Sequence, residues 1–271
     1  MRNPATRIAY DLIGSAGRAV AVVDIYKKKN TKEIAREILR RHAHVKTVLG
    51  KTSGRAGAFR IYKLKLLAGS KNTEVLHKEH GFLFKLDPRK VYFSPRESEE
   101  RARIAALVKP KERVLVMFSG IGPLLVYIGK ARPSCEVVGI ELNKIAVKYA
   151  DENLKLNKIS NAENIYGDVS DGECLSKQVY KFDRIIMPLP ESSLEFLPEA
   201  LAWAKRGTKE RATIQVYAIS EQKNLFADVE AKIKKICASH KTKIKFIGRQ
   251  KVLPYAPRLQ KVRIDFRILK L

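Results

Sequence analysis

Short apolar runs alternate with amphipathic stretches from about residue 110 onward. The runs have four to six apolar residues, and the stretches between them have helical spacing, as in NKIAVKYADENLKLNK. Successive runs are VLVMF, EVVGIEL, AENIYGD, FDRIIM and ATIQVYAI. This alternation is typical of βαβ units on a parallel sheet. Two final runs, KIKFIGRQKV and VRIDFRIL, have no helix between them. We therefore predict a doubly wound α/β domain that ends in an antiparallel hairpin.

The first 90 residues have a different pattern. RIAYDLIG and AVAVVDIY predict a hairpin, and TKEIAREILRRHAH predicts an amphipathic helix with Thr31 as its N-cap. Further short strands are predicted over RIYKLKLLAG, TEVLHKEHG and FLFKLD. We expect two domains: a small α+β domain over residues 1–90, and the larger doubly wound domain over residues 91–271.

Charge narrows the class of partner. The chain carries 54 Lys and Arg against 28 Asp and Glu, a formal net charge of +26. A hot or salty habitat also favours charge, but it usually raises both signs, so this excess favours a polyanion such as nucleic acid. No apolar run approaches the ~20 residues that span a bilayer, and no signal-peptide pattern opens the chain. We expect a cytoplasmic protein with no membrane partner.

Cysteine and histidine usage gives no sign of a metal. The three cysteines, Cys135, Cys174 and Cys237, lie far apart in the sequence and predict reduced core thiols. The five histidines have no spacing that suits zinc, so we expect no metal site.

Small and acidic residues follow successive predicted strands. Ser119, Gly120 and Gly122 lie at the first strand-to-helix turn, where small residues let the backbone approach a ligand. Glu141 ends the next strand, where a carboxylate can hold both ribose hydroxyls. Asp168 follows the third strand, where it can face an adenine amine. This arrangement fits S-adenosylmethionine better than a dinucleotide, which favours a fuller G-x-G-x-x-G motif. Each acid alone would also fit a helix cap or a solvated strand end.

The predicted cofactor set is wider than these positions, because the neighbours of the turn and of the acids share the same strand ends. It contains Phe118, Ser119, Gly120, Gly122, Pro123, Glu141, Leu142, Asp168, Val169 and Pro188.

The strand RIIM ends in Pro188, Leu189 and Pro190. Proline donates no backbone hydrogen bond and disfavours helix at the preceding residue, so this exit is extended and rigid. Ligand crevices of open α/β sheets lie at the carboxyl ends of the strands. We predict that Leu189 and Pro190 shape the slot for the acceptor; a rigid turn without function is the alternative.

Basic and aromatic residues are candidates for contacts with RNA. SPRESEER reads as a helix start in which Ser94 caps and Pro95 lies in the first turn. Arg96 and Arg101 in this segment, and Arg258 in YAPR, are predicted to meet phosphates. Tyr217 is a candidate for stacking on an exposed base, although a core role is its alternative.

Nine sequence blocks in order resemble one known family. The blocks are YDLIG…AVAVVDI, HVKTVLGK, GAFRIYKLKLLAG, TEVLHKEHG, FKLDPRKVYFSPRESEERARIA, MFSGIGPL, GIELNKIAV, DRIIMPLP and LPYAPR. Together they are similar to the archaeal and eukaryotic tRNA (guanine-N1)-methyltransferases that modify the guanine 3′ of the anticodon, position 37. The resemblance spans nearly the whole chain. It implies a class I methyltransferase (Rossmann-like) domain behind a small α+β domain, with S-adenosylmethionine as donor and the tRNA anticodon stem-loop as acceptor. We also expect a monomer.

The resemblance also implies an alternative reaction. Sister enzymes of the wybutosine pathway transfer the aminocarboxypropyl group of the same cofactor. Some family members do both reactions, so a bifunctional enzyme of wyosine and wybutosine biosynthesis is also open. In the aminocarboxypropyl branch a histidine tends to follow the second glycine, whereas this chain has Pro123, as in the methyl branch.

Methylation of guanine N1 needs a base near N1 and a cation near O6, because N1 carries a proton and its loss places negative charge on O6. The resemblance implies that Arg60 stabilises O6 and that Glu100 is the base. Glu99 is the rival for the base, since the two acids are adjacent. Glu100 as a surface carboxylate paired with Arg96 or Arg103, and Arg60 as a phosphate contact, remain open.

Departures from the family pattern support a third hypothesis. Val116 stands where members usually carry Asp, and Pro188 replaces the Asn of an NLP loop; Gln215, Val216 and Tyr217 replace a common HYY. These changes leave open a non-catalytic RNA-binding protein that kept the fold.

Overall fold

The computed structural model describes residues 9–15, 17–25, 30–57, 61–171, 182–205 and 212–269. The strands in this part of the chain are β1 (Tyr10–Ser15), β2 (Arg18–Asp24), β3 (Val45–Ala56), β4 (Ile61–Gly69), β5 (Val75–Glu79), β6 (Phe82–Leu86), β7 (Arg113–Met117), β8 (Glu136–Glu141), β9 (Ala162–Tyr166), β10 (Arg184–Met187), β11 (Thr213–Glu221), β12 (Ile244–Ala256) and β13 (Leu259–Ile268). The α-helices are α1 (Thr31–Arg41), α2 (Ser98–Leu107), α3 (Pro123–Ala131), α4 (Lys144–Leu156), α5 (Leu197–Lys205) and α6 (Ala227–Ser239).

A mixed four-stranded sheet forms the first part of the molecule, in the order β1-β2-β3-β4. The predicted hairpin is present as β1 and β2, and α1 connects β2 to β3, which run parallel. Strand β3 was not predicted, because VKTVLGKTSGRA interrupts its apolar positions with Lys, Gly and Ser. The N-cap prediction is wrong by one residue: Asn30, at φ 60°, precedes the helix, and Thr31 is its first residue. Asparagine tolerates this left-handed conformation better than threonine does.

A seven-stranded sheet forms the second part, in the order β12-β13-β11-β10-β7-β8-β9. The five strands from β11 to β9 in this order are parallel, while β13 and β12 add antiparallel strands beyond β11. The predicted doubly wound sheet and its terminal hairpin are confirmed. Because parallel strands have their carboxyl ends at one edge, the loops after β7, β8, β9 and β10 meet there. None of the described helices is both long and apolar enough to cross a membrane.

The two sheets share a packed core. Buried residues of β1 and β2 belong to the same cluster as those of the β5–β6 hairpin, α2 and α3. On α4, Asn153 and Asn157 bind the backbone of β6: their Oδ1 atoms accept from Lys85 N at 2.7 Å and Leu83 N at 2.9 Å. The hairpin therefore contacts both the small sheet and the end of α4. The domain boundary at residue 90 stays a prediction.

Candidate cofactor and acceptor site

A cleft of about 570 Å³ lies at the carboxyl ends of the parallel strands. Its volume is in the range of small-molecule sites in proteins. The site residues predicted from sequence that line it are Glu100, Arg101, Phe118, Ser119, Gly120, Pro123, Glu141, Leu142, Asp168, Val169, Pro188, Leu189, Pro190 and Tyr217. The fold thus brings cofactor candidates and acceptor candidates into one cavity.

The turn after β7 presents backbone to this cleft. Phe118 and Gly120 have φ values of 57° and 58°, in the left-handed region. A Cβ added to Gly120 would meet no atom within 4 Å, so this position opens into free space. Gly122, at φ 77°, does not line the cleft, and a Cβ there would lie 3.1 Å from Ala150 Cβ on α4. We predicted that Gly122 lets the backbone approach a ligand; the structure shows instead that it starts α3 and lets it pack against α4.

Glu141 ties the turn to the end of β8. Its Oε2 accepts from Gly120 N and its Oε1 from Asn143 N, both at 2.8 Å. Burial raises the pKa of Glu141 above its ordinary value, and the backbone N–H donors only partly offset this effect. Each carboxylate oxygen retains a lone pair, so the group can still accept from hydroxyls. The carboxylate is therefore oriented by backbone before any ligand arrives.

Asp168 lies two residues past β9, in the same cleft. Its Oδ1 accepts from Ser170 N at 2.9 Å and from Ser170 Oγ at 2.7 Å. These bonds fix the carboxylate at the third strand end, next to Glu141 at the second, whose backbone oxygen accepts from Gly167 N at 3.1 Å.

The proline loop after β10 is held by a serine that sequence reasoning missed. Ser193 is fully buried, and its Oγ lies 2.7 Å from the carbonyl oxygens of both Met187 and Leu189. Ser193 N also donates to Leu189 O at 2.8 Å. The segment from Pro188 to Pro190 is thus fixed on the cleft wall, and the serine pair in PLPESS was the available signal.

Glu100 faces the cleft from the first turn of α2, with 5% of its surface exposed. Tyr217 Oη donates to its Oε1 at 2.7 Å, and Arg263 Nη1 contacts the same oxygen. Arg103 contacts Oε2, so the predicted pairing with Arg103 also exists. The side chain of Glu99 is 77% exposed and bonds His80 Nε2 at 2.9 Å. The structure therefore favours Glu100 over Glu99 as the acid of this cleft.

Tyr217 has a role other than the predicted base stacking in this structure. Its side chain is buried, and burial next to the Glu100 carboxylate raises its pKa well above the ordinary value. Its hydroxyl is used by Glu100, and its ring is contacted by Lys261 Nζ at 4.8 Å. Lys261 and Arg263, both on β13, were missed. The signal was the basic residues within the otherwise strand-like LQKVRIDFRI.

The arginines that were predicted to contact phosphate differ in their exposure. Arg101 is buried and donates to both oxygens of Glu79 at 2.7–2.8 Å and to Ser94 O at 3.0 Å, which contradicts a contact with RNA phosphate. Arg96 is 57% exposed and donates to Asp11 Oδ1 at 2.6 Å. Arg258 is exposed in the turn between β12 and β13. Arg60, the predicted O6 stabiliser, lies outside the described residues.

The predicted cap of SPRESEER differs in detail from the structure. Ser94 precedes a short 3-10 turn over Pro95–Glu97, without a side-chain cap bond, and α2 starts after it. Among the described residues, no three or more His, Cys, Asp or Glu side chains group as a metal site.

Comparison with known proteins assigns this geometry to a family. The sequence model of the TRM5/TYW2 methyltransferase domain matches residues 75–245. The tRNA (guanine(37)-N(1))-methyltransferase Trm5b of Pyrococcus abyssi is 34% identical over 96% of this chain and 74% of its own length. The tRNA(Phe) (4-demethylwyosine(37)-C(7)) aminocarboxypropyltransferase of Methanocaldococcus jannaschii is 32% identical over 93% of this chain and 98% of its own length. The crystal structure of M. jannaschii TYW2 in complex with AdoMet superposes with a TM-score of 0.69 at 27% identity, covering 97% of this chain and all of that one.

Proposed function

Because the chain belongs to the TRM5/TYW2 methyltransferase family, we propose that it transfers the methyl group of S-adenosylmethionine to N1 of guanine 37 in tRNA. One observation carries this proposal most strongly: a buried carboxylate, Glu100, lines the same cleft as the strand-end acids Glu141 and Asp168. A base for the acceptor and a binding site for the donor are therefore adjacent.

The residues present fit S-adenosylmethionine. Gly120 leaves the turn open, Glu141 is oriented to accept from the ribose hydroxyls, and Asp168 is placed to accept from the adenine amine. When bound, the cofactor supplies an electrophilic methyl group on a sulfonium. The apolar side chains of Phe118, Leu142 and Val169, with Pro188, complete the walls.

Glu100 is assigned as the base that accepts the N1 proton of guanine. Its carboxylate is oriented by Tyr217 Oη and by Arg263, which restricts the direction in which its remaining lone pairs point. The target base must leave its stack to reach such a buried group. As N1 loses its proton, charge develops on O6, and we assign Arg60 to that oxygen from the family resemblance. Transfer then depends on positioning of N1 in line with the methyl group.

The proline loop is assigned to the acceptor wall. Pro188 replaces an amide that many family members carry, so Leu189 and Pro190 can contribute shape but no side-chain hydrogen bond. Recognition of the base edge must then come from other side chains. Arg96 and Arg258, together with the net charge of +26, are assigned to the tRNA backbone. The cytoplasmic location and the monomeric state stay predictions.

The test uses labelled S-adenosylmethionine and two tRNA transcripts that differ only in guanine or adenine at position 37. We expect labelled 1-methylguanosine from the first transcript, identified by mass after nuclease digestion, and no transfer to the second. An added aminocarboxypropyl group would assign the chain to the sister reaction. Binding of tRNA without any transfer would support the non-catalytic hypothesis instead.

Arg60→Ala tests the remaining assignment. We expect a large fall in turnover with cofactor affinity unchanged, because the substitution removes charge stabilisation only at the acceptor. A rate near that of the unaltered chain would show that Arg60 does not stabilise O6.

A further inference from the structure

Lys261 is a buried cation on the acceptor side of the cleft. Lys261 is 3% exposed. Its Nζ lies 2.9 Å from Glu97 Oε1 and 4.8 Å from the centre of the Tyr217 ring. Removing an ammonium from water is costly, and one ion pair only partly compensates for it. The ion pair with Glu97 alone therefore does not explain why a lysine is buried at this position of β13.

A second cavity of about 440 Å³ adjoins the cleft, between the small sheet and the end of β12. Six residues line both cavities: Tyr92, Phe93, Ser94, Glu97, Pro190 and Lys261. These residues form the threshold between the two spaces. A nucleotide that entered the cleft from the second cavity would pass these residues, Lys261 among them.

Tyr217 connects this lysine to the proposed base. The tyrosine hydroxyl donates to Glu100, and the lysine ammonium lies over the same tyrosine ring. Glu100 and Lys261 thus contact the hydroxyl and the ring face of one side chain, and both line one cleft. In guanine, N1 and O6 are joined through a single carbon, so a base that presents N1 to Glu100 presents O6 close by.

The ammonium has donor capacity left for a ligand. Lysine carries three N–H donors, and the contacts of Lys261 among the described residues are one carboxylate and one ring face. Lysine and arginine are also the side chains that most often read O6 of guanine. The proline loop, without its amide, offers no competing side-chain donor.

We propose that Lys261 is a catalytic residue that donates to O6 of the target guanine and stabilises the negative charge that forms there as N1 loses its proton to Glu100. This inference rests on the proposed function and adds a second cation to the role assigned to Arg60. Glu97 holds the ammonium at the threshold until the base arrives.

The experiment must separate this role from a structural ion pair. Lys261→Met alone would leave the partly buried Glu97 carboxylate with a hydroxyl, Tyr92 Oη, in place of its cation, which is itself destabilising. We therefore compare the unaltered chain with the neutral pair Glu97→Gln/Lys261→Met. If the ion pair is only structural, its neutral replacement retains near-normal activity. If Lys261 acts at O6, single-turnover methylation of guanine 37 falls about 100-fold, as for loss of one oxyanion donor.

The dependence of the methylation rate on pH is a second measurement. Loss of an ion pair that is only structural would not change it. Without the cation the N1 proton is harder to remove, so the rate of the double variant should continue to rise to a higher pH than the rate of the unaltered chain. Cofactor affinity, measured by calorimetry, should stay the same. Glu97→Gln/Lys261→Leu, which also lacks a donor at this position, replaces the first variant if that one fails to fold, as judged by thermal unfolding.

The matched control is another buried pair. Arg184 and Glu112 bond at 2.7 Å at the amino-terminal edge of the parallel strands, away from the cleft. Glu112→Gln/Arg184→Met removes a buried cation in the same way and should leave the rate within about threefold, the scale of a small stability effect. A double variant at Lys261 that also stays within this range, while the unaltered chain methylates guanine 37, would overturn the inference alone. An unaltered chain that does not methylate guanine 37 would overturn the proposed function as well.

Discussion

The two halves of the cleft are built in different ways. The half that we assign to the cofactor comes mostly from one stretch, from the turn after β7 to the loop after β9, with Pro188 added from the loop after β10. Backbone N–H groups orient its main acid, Glu141. The acceptor half comes from α2, β11 and β13 and the loop after β10, which are far apart in the sequence and are joined by side-chain contacts between Glu100, Tyr217 and Arg263. We therefore expect donor binding and methyl transfer to respond separately to substitution.

The largest expected effect is on transfer and comes from Glu100→Gln. The amide keeps the size of the side chain but accepts no proton from N1, so we expect single-turnover methylation of guanine 37 to fall about 10²- to 10⁴-fold. Calorimetry should show unchanged affinity for S-adenosylmethionine, because Glu100 is not part of the cofactor half.

Glu99→Gln is the matched control for this prediction, since the neighbouring acid is exposed and bonds His80 outside the cleft. It should leave both quantities unchanged. Equal losses from the two substitutions would contradict the assignment of the base.

The next effect is on donor binding and comes from Glu141→Gln. A glutamine amide cannot accept on its nitrogen, so one of the two bonds to Gly120 N and Asn143 N is lost along with the charge. Loss of a hydrogen bond to a charged group costs about 1.5–3 kcal/mol. We therefore expect calorimetry to give a dissociation constant for S-adenosylmethionine that is about 10- to 100-fold higher. Transfer at saturating cofactor should change little; an unchanged dissociation constant would contradict the ribose role.

Glu141 also predicts the pH dependence of donor binding. Burial raises its pKa, so the proton is bound at higher pH than in an ordinary glutamate of pKa 4.5. In the cofactor-free chain this raised pKa favours folding at low pH, and the contribution is lost as pH rises through the folded-state pKa. Cofactor binding needs the ionised form, so affinity should fall on acidification before pH 4.5 is reached, without unfolding. Glu141→Gln should remove this dependence; an equal dependence in the variant would assign it to another group.

A smaller effect is expected from Tyr217→Phe, which tests the link between the two sides of the acceptor half. The substitution removes the hydroxyl that orients Glu100 but keeps the ring under Lys261. Loss of a neutral donor to a charged acceptor corresponds to about a tenfold slower transfer. Cofactor affinity should be unchanged, and a loss as large as that of Glu100→Gln would show that the tyrosine does more than orient the carboxylate.

The smallest effect is expected from Ser193→Ala, which loosens the proline loop. One hydrogen bond of a buried hydroxyl is worth about 1 kcal/mol, and the free energy of unfolding should fall by about that amount in urea titration. The KM for tRNA should rise a few-fold as the acceptor wall becomes less rigid. Ser239→Ala, at an exposed helix end, should change neither quantity.

Sequence alone was informative for the cofactor half because its residues are local. A turn and an acid at each following strand end can be placed by strand prediction. Glu141 and Asp168 were predicted in this way, and both line the cleft. The exception is Gly122, whose packing against Ala150 depends on where α4 lies.

The acceptor half could not be derived in this way, because its contacts are long-range. Glu100 bonds a tyrosine 117 residues away and an arginine 163 residues away, and no local sequence pattern predicts such pairs. Its role came from the family resemblance, while Lys261 and Arg263 were missed. For the same reason Arg101 was assigned to RNA, since the sequence did not show that Glu79 neutralises it.

A structure of the chain with S-adenosylmethionine and a tRNA anticodon stem-loop would show directly whether Glu100 meets the target base beside the donor. We expect guanine 37 unstacked in the cleft, with its N1 within about 2.6–3.2 Å of a Glu100 oxygen and facing the sulfonium methyl. A guanine that lies outside the cleft, or a Glu100 carboxylate that remains covered by Tyr217 and Arg263 with N1 directed elsewhere, would contradict it.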